Sequence, residues 1–444
     1  MTAIGFIERQ RAFWLRTLGL TPFDVRNLVA LYFATFIMRA AAFAGVAVMQ
    51  HVVFPDRADA LWKGLLFAVY PVAEITTVGY FGTLCDRSGR KRILVFAHLI
   101  TAAAVFLFIV GIGLPADVEP YAIAAFFAMF GLGAAAKVAS TLAMVNDHSS
   151  LENRAQLMAV FDLVTFGGLV GGFGFGFLAL NAWGWDPAVV LLLGGIGVTL
   201  SVIMIQFLVS DAKFIPAPPI SALGLLRVVF RNRDILRLLP VYIPVVALYG
   251  YVLTFTDQLI AGQAGGRLLT SHLIAVVLAF GIPLALSLGV SGRWSDKSRL
   301  RKPFMLLGLT CFGGLAILFS LATQPGGGMD LGLLYDWIPF IVLLAAGAGT
   351  FPPAALAYLG DIIERSMSGT SFGVYSIIFG SGLIVGPILG GGLTQALGPL
   401  AFAIVSLSLI AVSGTAVLFL RESARSPTAA TPAVTAADPP QMRP

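Results

Sequence analysis

The chain is poor in the residues that most chemistry needs. Of 444 residues only two are cysteine and four histidine, and charged residues make up 11%. Cys85 stands in a charged loop and Cys311 in an apolar run. They form no CxxC pair and no metal spacing, so a structural disulfide is not expected. His51, His98, His148 and His272 are scattered without an HExxH pattern, so no metal centre is expected. No Walker loop is present. GGFGFG at 171–176 is glycine-rich, but it lies inside an apolar run and follows no strand, which excludes a nucleotide loop. An enzyme and a bound cofactor are therefore not expected. A cleavable leader pattern is also missing: residues 1–26 hold Glu8, Arg9, Arg11, Arg16, Asp24 and Arg26 without an apolar core. Phe6, Ile7, Phe13, Trp14 and Leu18 interleave with those charges, the pattern of a short helix on a membrane surface or of a loose basic leader.

What the chain has in excess is apolar surface. Hydrophobic residues are 58%, against about 45–50% in soluble domains. Apolar runs of 20 or more residues recur, each long enough to cross a ~30 Å hydrocarbon core as a helix. Twelve such segments are expected, at 27–50, 62–84, 93–114, 121–145, 155–180, 188–210, 238–261, 269–290, 303–323, 336–360, 370–395 and 398–420. The fold class is an all-α polytopic membrane protein. The division is a segment 1–26, a six-helix bundle 27–210, a linker 211–237, a second bundle 238–420 and a disordered tail 421–444. With the N-terminus in the cytoplasm, 23 of the 28 Lys and Arg fall on cytoplasmic parts. That is the positive-inside pattern, so both termini are expected in the cytoplasm, in a plasma or cell inner membrane. The net charge of +6 then faces anionic lipid headgroups and not nucleic acid.

Charge concentrates in FGTLCDRSGRKRIL, residues 81–94, between segments 2 and 3. A related stretch, GRWSDKSRLRK at 292–302, lies between segments 8 and 9. LAMVND (142–147) and LAYLGD (356–361) end segments 4 and 10, and Gly168, Gly172 and Gly176 match Gly382, Gly386 and Gly390. Matched elements in order indicate a duplicated transporter. GTLCDRSGRKR resembles the loop motif of the major facilitator superfamily, G-x-x-x-D-R-x-G-R-[RK], through Gly82, Asp86, Arg87, Gly89, Arg90 and Lys91. The second copy keeps Gly292, Asp296, Arg301 and Lys302, with Arg299 and Leu300 at the second Gly and the Arg positions, and reads as decayed. GLIVGPILGG (382–391, with Pro387) looks like an element that marks segment 5 of proton-coupled exporters in that superfamily, here in segment 11. Segment 5 itself has Phe173 in place of the proline. The resemblance implies two pseudo-symmetric six-helix bundles, a loop that locks them in one state, and segments 1, 4, 7 and 10 around a central cavity. It also implies an Arg four residues before Gly131 in exporters; that position holds Phe127.

The loop can be read without the resemblance. Asp86 stands where it can meet a helix N-terminus, and Arg90 can fork onto Asp147 at the end of segment 4. Asp86, Arg90 and Asp147 are expected to form a state-dependent gating network. The alternative is that the cations only hold the loop inside. Four-residue glycine spacing puts Gly168, Gly172 and Gly176 on one helix face, where helices approach closely. Such faces either pack tightly or hinge the halves.

Ionisable groups at bilayer depth need a reason. Depth from the segment ends, at ~1.5 Å per residue, pairs Arg39 with Glu74 and Lys137 with Asp162. The matching second-half positions are neutral: Tyr249, Leu284, Phe351 and Ser376. A carboxylate that exchanges partners can load and release a proton, which makes Glu74 and then Asp162 the expected proton-coupling residues. Arg39 and Lys137 are candidates for binding an anionic solute, with Tyr32, Phe36 and Tyr249 among the aromatics that can stack on it. Static ion pairs are the alternative. The function expected is secondary transport of a small organic solute by a monomer, as proton-coupled efflux of amphipathic compounds. Proton symport of an organic anion and lipid flipping are the other readings.

Overall fold

The computed structural model describes residues 20–52, 59–115, 117–148, 154–211, 224, 230–260, 270–298, 300–324, 328–362 and 368–421. The expected surface helix before residue 20, most of the linker and the tail lie outside them. Helices account for nearly all of the described residues; one isolated bridge, Thr323 to Met329, closes a turn.

The first half comprises α1 (Pro22–Val52), α2 (Ala60–Ser88), α3 (Arg90–Gly111), α4 (Glu119–Asp147), α5 (Arg154–Asn181) and α6 (Pro187–Leu208). The second comprises α7 (Arg233–Ile260), α8 (Thr270–Ser298), α9 (Lys302–Leu321), the short α10 (Leu331–Asp336), α11 (Ile338–Ala348), α12 (Phe351–Ile362), α13 (Ser368–Leu397) and α14 (Leu400–Leu418). Among the described residues twelve spans are long and apolar enough to cross a membrane.

The tenth span differs from the expected single segment. It is interrupted at Gly349–Thr350, between α11 and α12. The cause is Phe351-Pro352-Pro353: proline has no N–H to give and crowds the residue before it. Thr350 Oγ1 donates to the carbonyls of Phe304 (2.9 Å) and Gly347 (2.8 Å), and Ser291 Oγ donates to that of Gly349 (3.3 Å). Side chains thus satisfy the Gly347 and Gly349 carbonyls, which the break would strand in lipid, and Thr350 ties the break to α9.

The halves repeat one packing scheme. In the first, α1 packs on α5 and α6, α4 on α2 and α3, and α3 on α6. In the second, α7 packs on α13 and α14, α11 on α8 and α9, and α9 on α14. The α1–α5 and α7–α13 contacts share a register. Gly168 faces the Phe36 carbonyl and Arg39 Cβ, Gly172 the Ala40 backbone, and Gly176 Ala44. Gly382 faces Val246, Gly386 the Ala247 backbone, and Gly390 the Tyr251 ring. This corrects one expectation. The counterpart of Arg39 is Val246, not Tyr249, because the offset between the two loop copies does not carry across connectors of different length.

The halves meet along α2–α13 and α5–α8. A Cβ on Gly391 would lie 2.6 Å from the Ala60 carbonyl, and one on Gly64 would strike the Pro387 backbone. Nearer mid-membrane, Gly380 packs on Ile75. On the other side a Cβ on Gly174 would lie 4.0 Å from Val277 Cγ1, and one on Gly281 3.9 Å from Val170 Cγ1.

Candidate functional site: a buried charge cluster and a gating loop

At the middle of the first half, α1 and α2 bring Arg39 and Glu74 together. Their side chains are 8% and 11% exposed, and Arg39 Nη2 lies 4.0 Å from Glu74 Oε1. The closer contact is to a residue the sequence reading passed over: Arg39 Nη1 donates to the Tyr70 hydroxyl at 2.5 Å. Glu74, one helical turn further along α2, acts on that hydroxyl electrostatically. Tyr70 thus binds the cation and stands on the same helix as the acid. Gly131 of α4 permits the arrangement, since a Cβ there would collide with the Tyr70 carbonyl and sit 3.0 Å from the Glu74 backbone nitrogen. The i, i+4 spacing of Tyr70 and Glu74 was the available signal.

Tyr249 comes from the other half. Its ring stacks on Phe166 of α5, centroids 5.5 Å apart and planes 23° apart. Phe379 of α13 leans on it at 6.4 Å and 53°. Arg39 and Tyr70 act electrostatically on its hydroxyl, so both halves contribute to this region.

Lys137 is completely buried in α4, with Nζ 5.3 Å from the centroid of the Phe161 ring. The Asp162 side chain lies outside the described residues. His98, also fully buried, holds Nδ1 2.9 Å from the Leu94 carbonyl and Nε2 3.4 Å from that of Ala34. Tyr32 donates to the Leu157 carbonyl at 2.8 Å, on the α1–α5 seam and about two turns from Arg39. Phe36 lies along the same seam, its ring 3.9 Å from a Cβ on Gly167 and 3.8 Å from one on Gly171.

The loop end of the bundle is held by a second set of charges. Gly89, with φ +92°, separates α2 from α3, a backbone conformation that suits glycine. Arg90 then forms an ion pair with Asp147 and donates to the Ala143 carbonyl at 2.8 Å. The Lys91 backbone donates to Asp211 (2.7 Å), and Lys91 Nζ to the Gln206 carbonyl (2.7 Å). Asp211 was not anticipated; it is the first acid after the sixth span. Arg87 is exposed, Gly82 meets nothing within 4 Å where a Cβ would stand, and the side chain of Asp86 lies outside the described residues.

The second copy of the loop is not decayed at its cations. Arg301 Nε pairs with Asp361 at 3.1 Å, and Arg301 Nη1 donates to Ser295 at 2.8 Å. Lys302 Nζ donates to the carbonyls of Leu420 (2.7 Å) and Leu418 (3.3 Å), at the end of α14. Arg301 and Lys302 therefore do in the second half what Arg90 and Lys91 do in the first. Leu300 is a one-residue insertion in the register, not a lost arginine.

The architecture has counterparts. The family model described as Major Facilitator Superfamily matches residues 28–329 and 259–440. Multidrug resistance protein 2 of Bacillus subtilis (strain 168) is 28% identical over 149 residues, 33% of this chain and 34% of that protein. The chain thus matches about a third of the length of that relative. A variant of the nucleoside transporter NupG superposes with a TM-score of 0.66 at 14% identity, covering 89% of this chain and 98% of that one. The human organic anion transporter MFSD10 (TETRAN) gives 0.64 at 14% identity, covering 89% and 100%. At such identities the two structures speak for the fold. The family model spans both halves, and the duplicated helices and paired loop latches agree with it: the chain belongs to the Major Facilitator Superfamily.

Proposed function

We propose that the chain carries a small organic solute across the membrane by alternating access, driven by protons that load and leave at Glu74. The observation that carries this reading is the Arg39–Tyr70–Glu74 cluster. Arg39 donates to the Tyr70 hydroxyl and also stands 4.0 Å from the Glu74 carboxylate, so more than one group shares the cation and it can shift between them. A charge at bilayer depth is costly. A solute anion that draws Arg39 away leaves Glu74 without its counter-charge and favours its protonated form. Anion and proton then bind together, which supports co-transport of an organic anion over the efflux expected from sequence. Lys137, with Asp162 one residue beyond Phe161, is a second site of the same kind. Efflux of amphipathic compounds is the second reading, favoured by the likeness to the multidrug resistance protein. Both termini on the cytoplasmic side, and a monomer in the bilayer, complete the proposal.

Purified protein in liposomes that enclose a pH-sensitive dye tests it. An inwardly imposed anion gradient should acidify the lumen under co-transport, whereas exchange against protons changes lumenal pH in the opposite direction. Glu74→Gln should abolish the solute-driven pH change; an unaltered change would overturn the assignment of Glu74.

A further inference from the structure

We infer that the solute is a planar aromatic acid, its ring seated on Tyr249 and its anionic group shared by the Tyr249 hydroxyl and Arg39. The inference rests on the anion reading above and narrows it.

Tyr249 and Phe166 belong to opposite halves and lie nearly parallel, 23° apart. Any movement that opens the junction breaks their stack. A flat ring entering the gap restores on Tyr249 the face contact that Phe166 gives up, and a saturated ring has no such face to offer. Phe379, tilted against the same tyrosine, is from α13 of the second half and stays with Tyr249 as the halves part.

The polar end of Tyr249 points to the same ligand. Its hydroxyl is buried and has no hydrogen-bond partner among the described residues, a costly state for a polar group. Arg39 is near it across the junction: its Cβ borders Gly168, two residues along α5 from the Phe166 that stacks on Tyr249, and it acts on the hydroxyl electrostatically. A carboxylate at this point accepts from the Tyr249 hydroxyl and from the Arg39 guanidinium, a charge-assisted arrangement that a neutral amide does not match. Ring and anion are thus read by adjoining parts of one side chain plus one cation.

Thermal unfolding of the purified full chain tests this with three probes: naphthalene-2-carboxylate, naphthalene-2-carboxamide and cyclohexanecarboxylate. The first should stabilise the protein with an apparent affinity about tenfold tighter than either of the others, the factor carried by one stack or one charge-assisted hydrogen bond. Tyr249→Leu, which removes both ring and hydroxyl, should lose at least that factor for the aromatic acid. Tyr249→Phe, which keeps the ring, should lose affinity for the aromatic acid and not for the amide. Equal affinity for the saturated acid, unchanged binding in Tyr249→Leu or Tyr249→Phe, or no stabilisation by the aromatic acid would each overturn the inference. These readouts follow binding and not proton movement, so they fail independently of the Glu74→Gln assay.

Discussion

Tyr70 shows how one residue sets the character of a buried charge pair. Its hydroxyl takes a hydrogen bond from Arg39 at 2.5 Å, while the Glu74 carboxylate stays 4.0 Å from the guanidinium. In Tyr70→Phe that hydroxyl is gone, and Arg39 and Glu74 are left to pair directly or to stand apart. The pH at which coupled transport is half-maximal should therefore move, while the amount of folded protein stays near wild type. A pH profile unmoved by Tyr70→Phe would show the hydroxyl to be incidental. The two loop latches give a second prediction at this scale. Arg301–Asp361 and Arg90–Asp147 are both largely buried, and removing one partner of a buried pair costs on the order of 3 kcal/mol. Asp361→Asn and Asp147→Asn should lower the unfolding temperature to similar extents; a silent Asp361→Asn would restore the view that only the first copy matters. Pairing of Arg90 with Asp147 was legible in the sequence, because both ends of the pair sit at recognisable helix boundaries. The Arg301 pair was not, because a single inserted residue hides it from a fixed-offset alignment.

Individual helices are positioned by what their glycines leave out. Gly172 and Gly386 admit the backbones of Ala40 and Ala247 to the space a side chain would fill. Without a hydrophobic drive between helices in lipid, such close packing is what holds them together. Gly172→Val and Gly386→Val should each reduce the yield of folded protein and its unfolding temperature markedly. Gly414 is the control: nothing lies within 4 Å of a Cβ there, so Gly414→Ala should be neutral or stabilise by up to ~1 kcal/mol through helix propensity. If Gly172→Val behaved like Gly414→Ala, the α1–α5 approach would be looser than described. The glycine faces themselves were plain from four-residue spacing. The break in the tenth span was less so, since the Phe-Pro-Pro run permits a kinked helix as well as an interrupted one. Hydroxyls from Thr350 and Ser291, the latter on a separate helix, make the break affordable in lipid.

Across the whole molecule, alternating access requires the two halves to part where they now touch. The α5–α8 contact offers a direct check, because a Cβ at Gly174 would lie 4.0 Å from Val277 Cγ1, which brings cysteines at the two positions within reach of each other. With Cys85 and Cys311 replaced, the pair Gly174→Cys and Val277→Cys should cross-link on oxidation, stop transport, and recover it on reduction. Full transport by the cross-linked protein would mean that these faces do not separate during the cycle.

The sequence by itself determined the number of spans, the duplication, the loop motif and the short list of buried charges. Each depends on local composition: an apolar run of sufficient length becomes a helix in a bilayer wherever it lies. Only the tertiary structure decided which residues those charges meet. Tyr70 between Arg39 and Glu74, Asp211 beneath Lys91, Arg301 in place of Leu300, and Val246 rather than Tyr249 opposite Arg39 all depend on helix rotation and relative height. Rotation and height are fixed by side-chain packing between segments far apart in the chain, through glycine faces and connectors of unequal length. Periodicity within a segment carries no record of that packing.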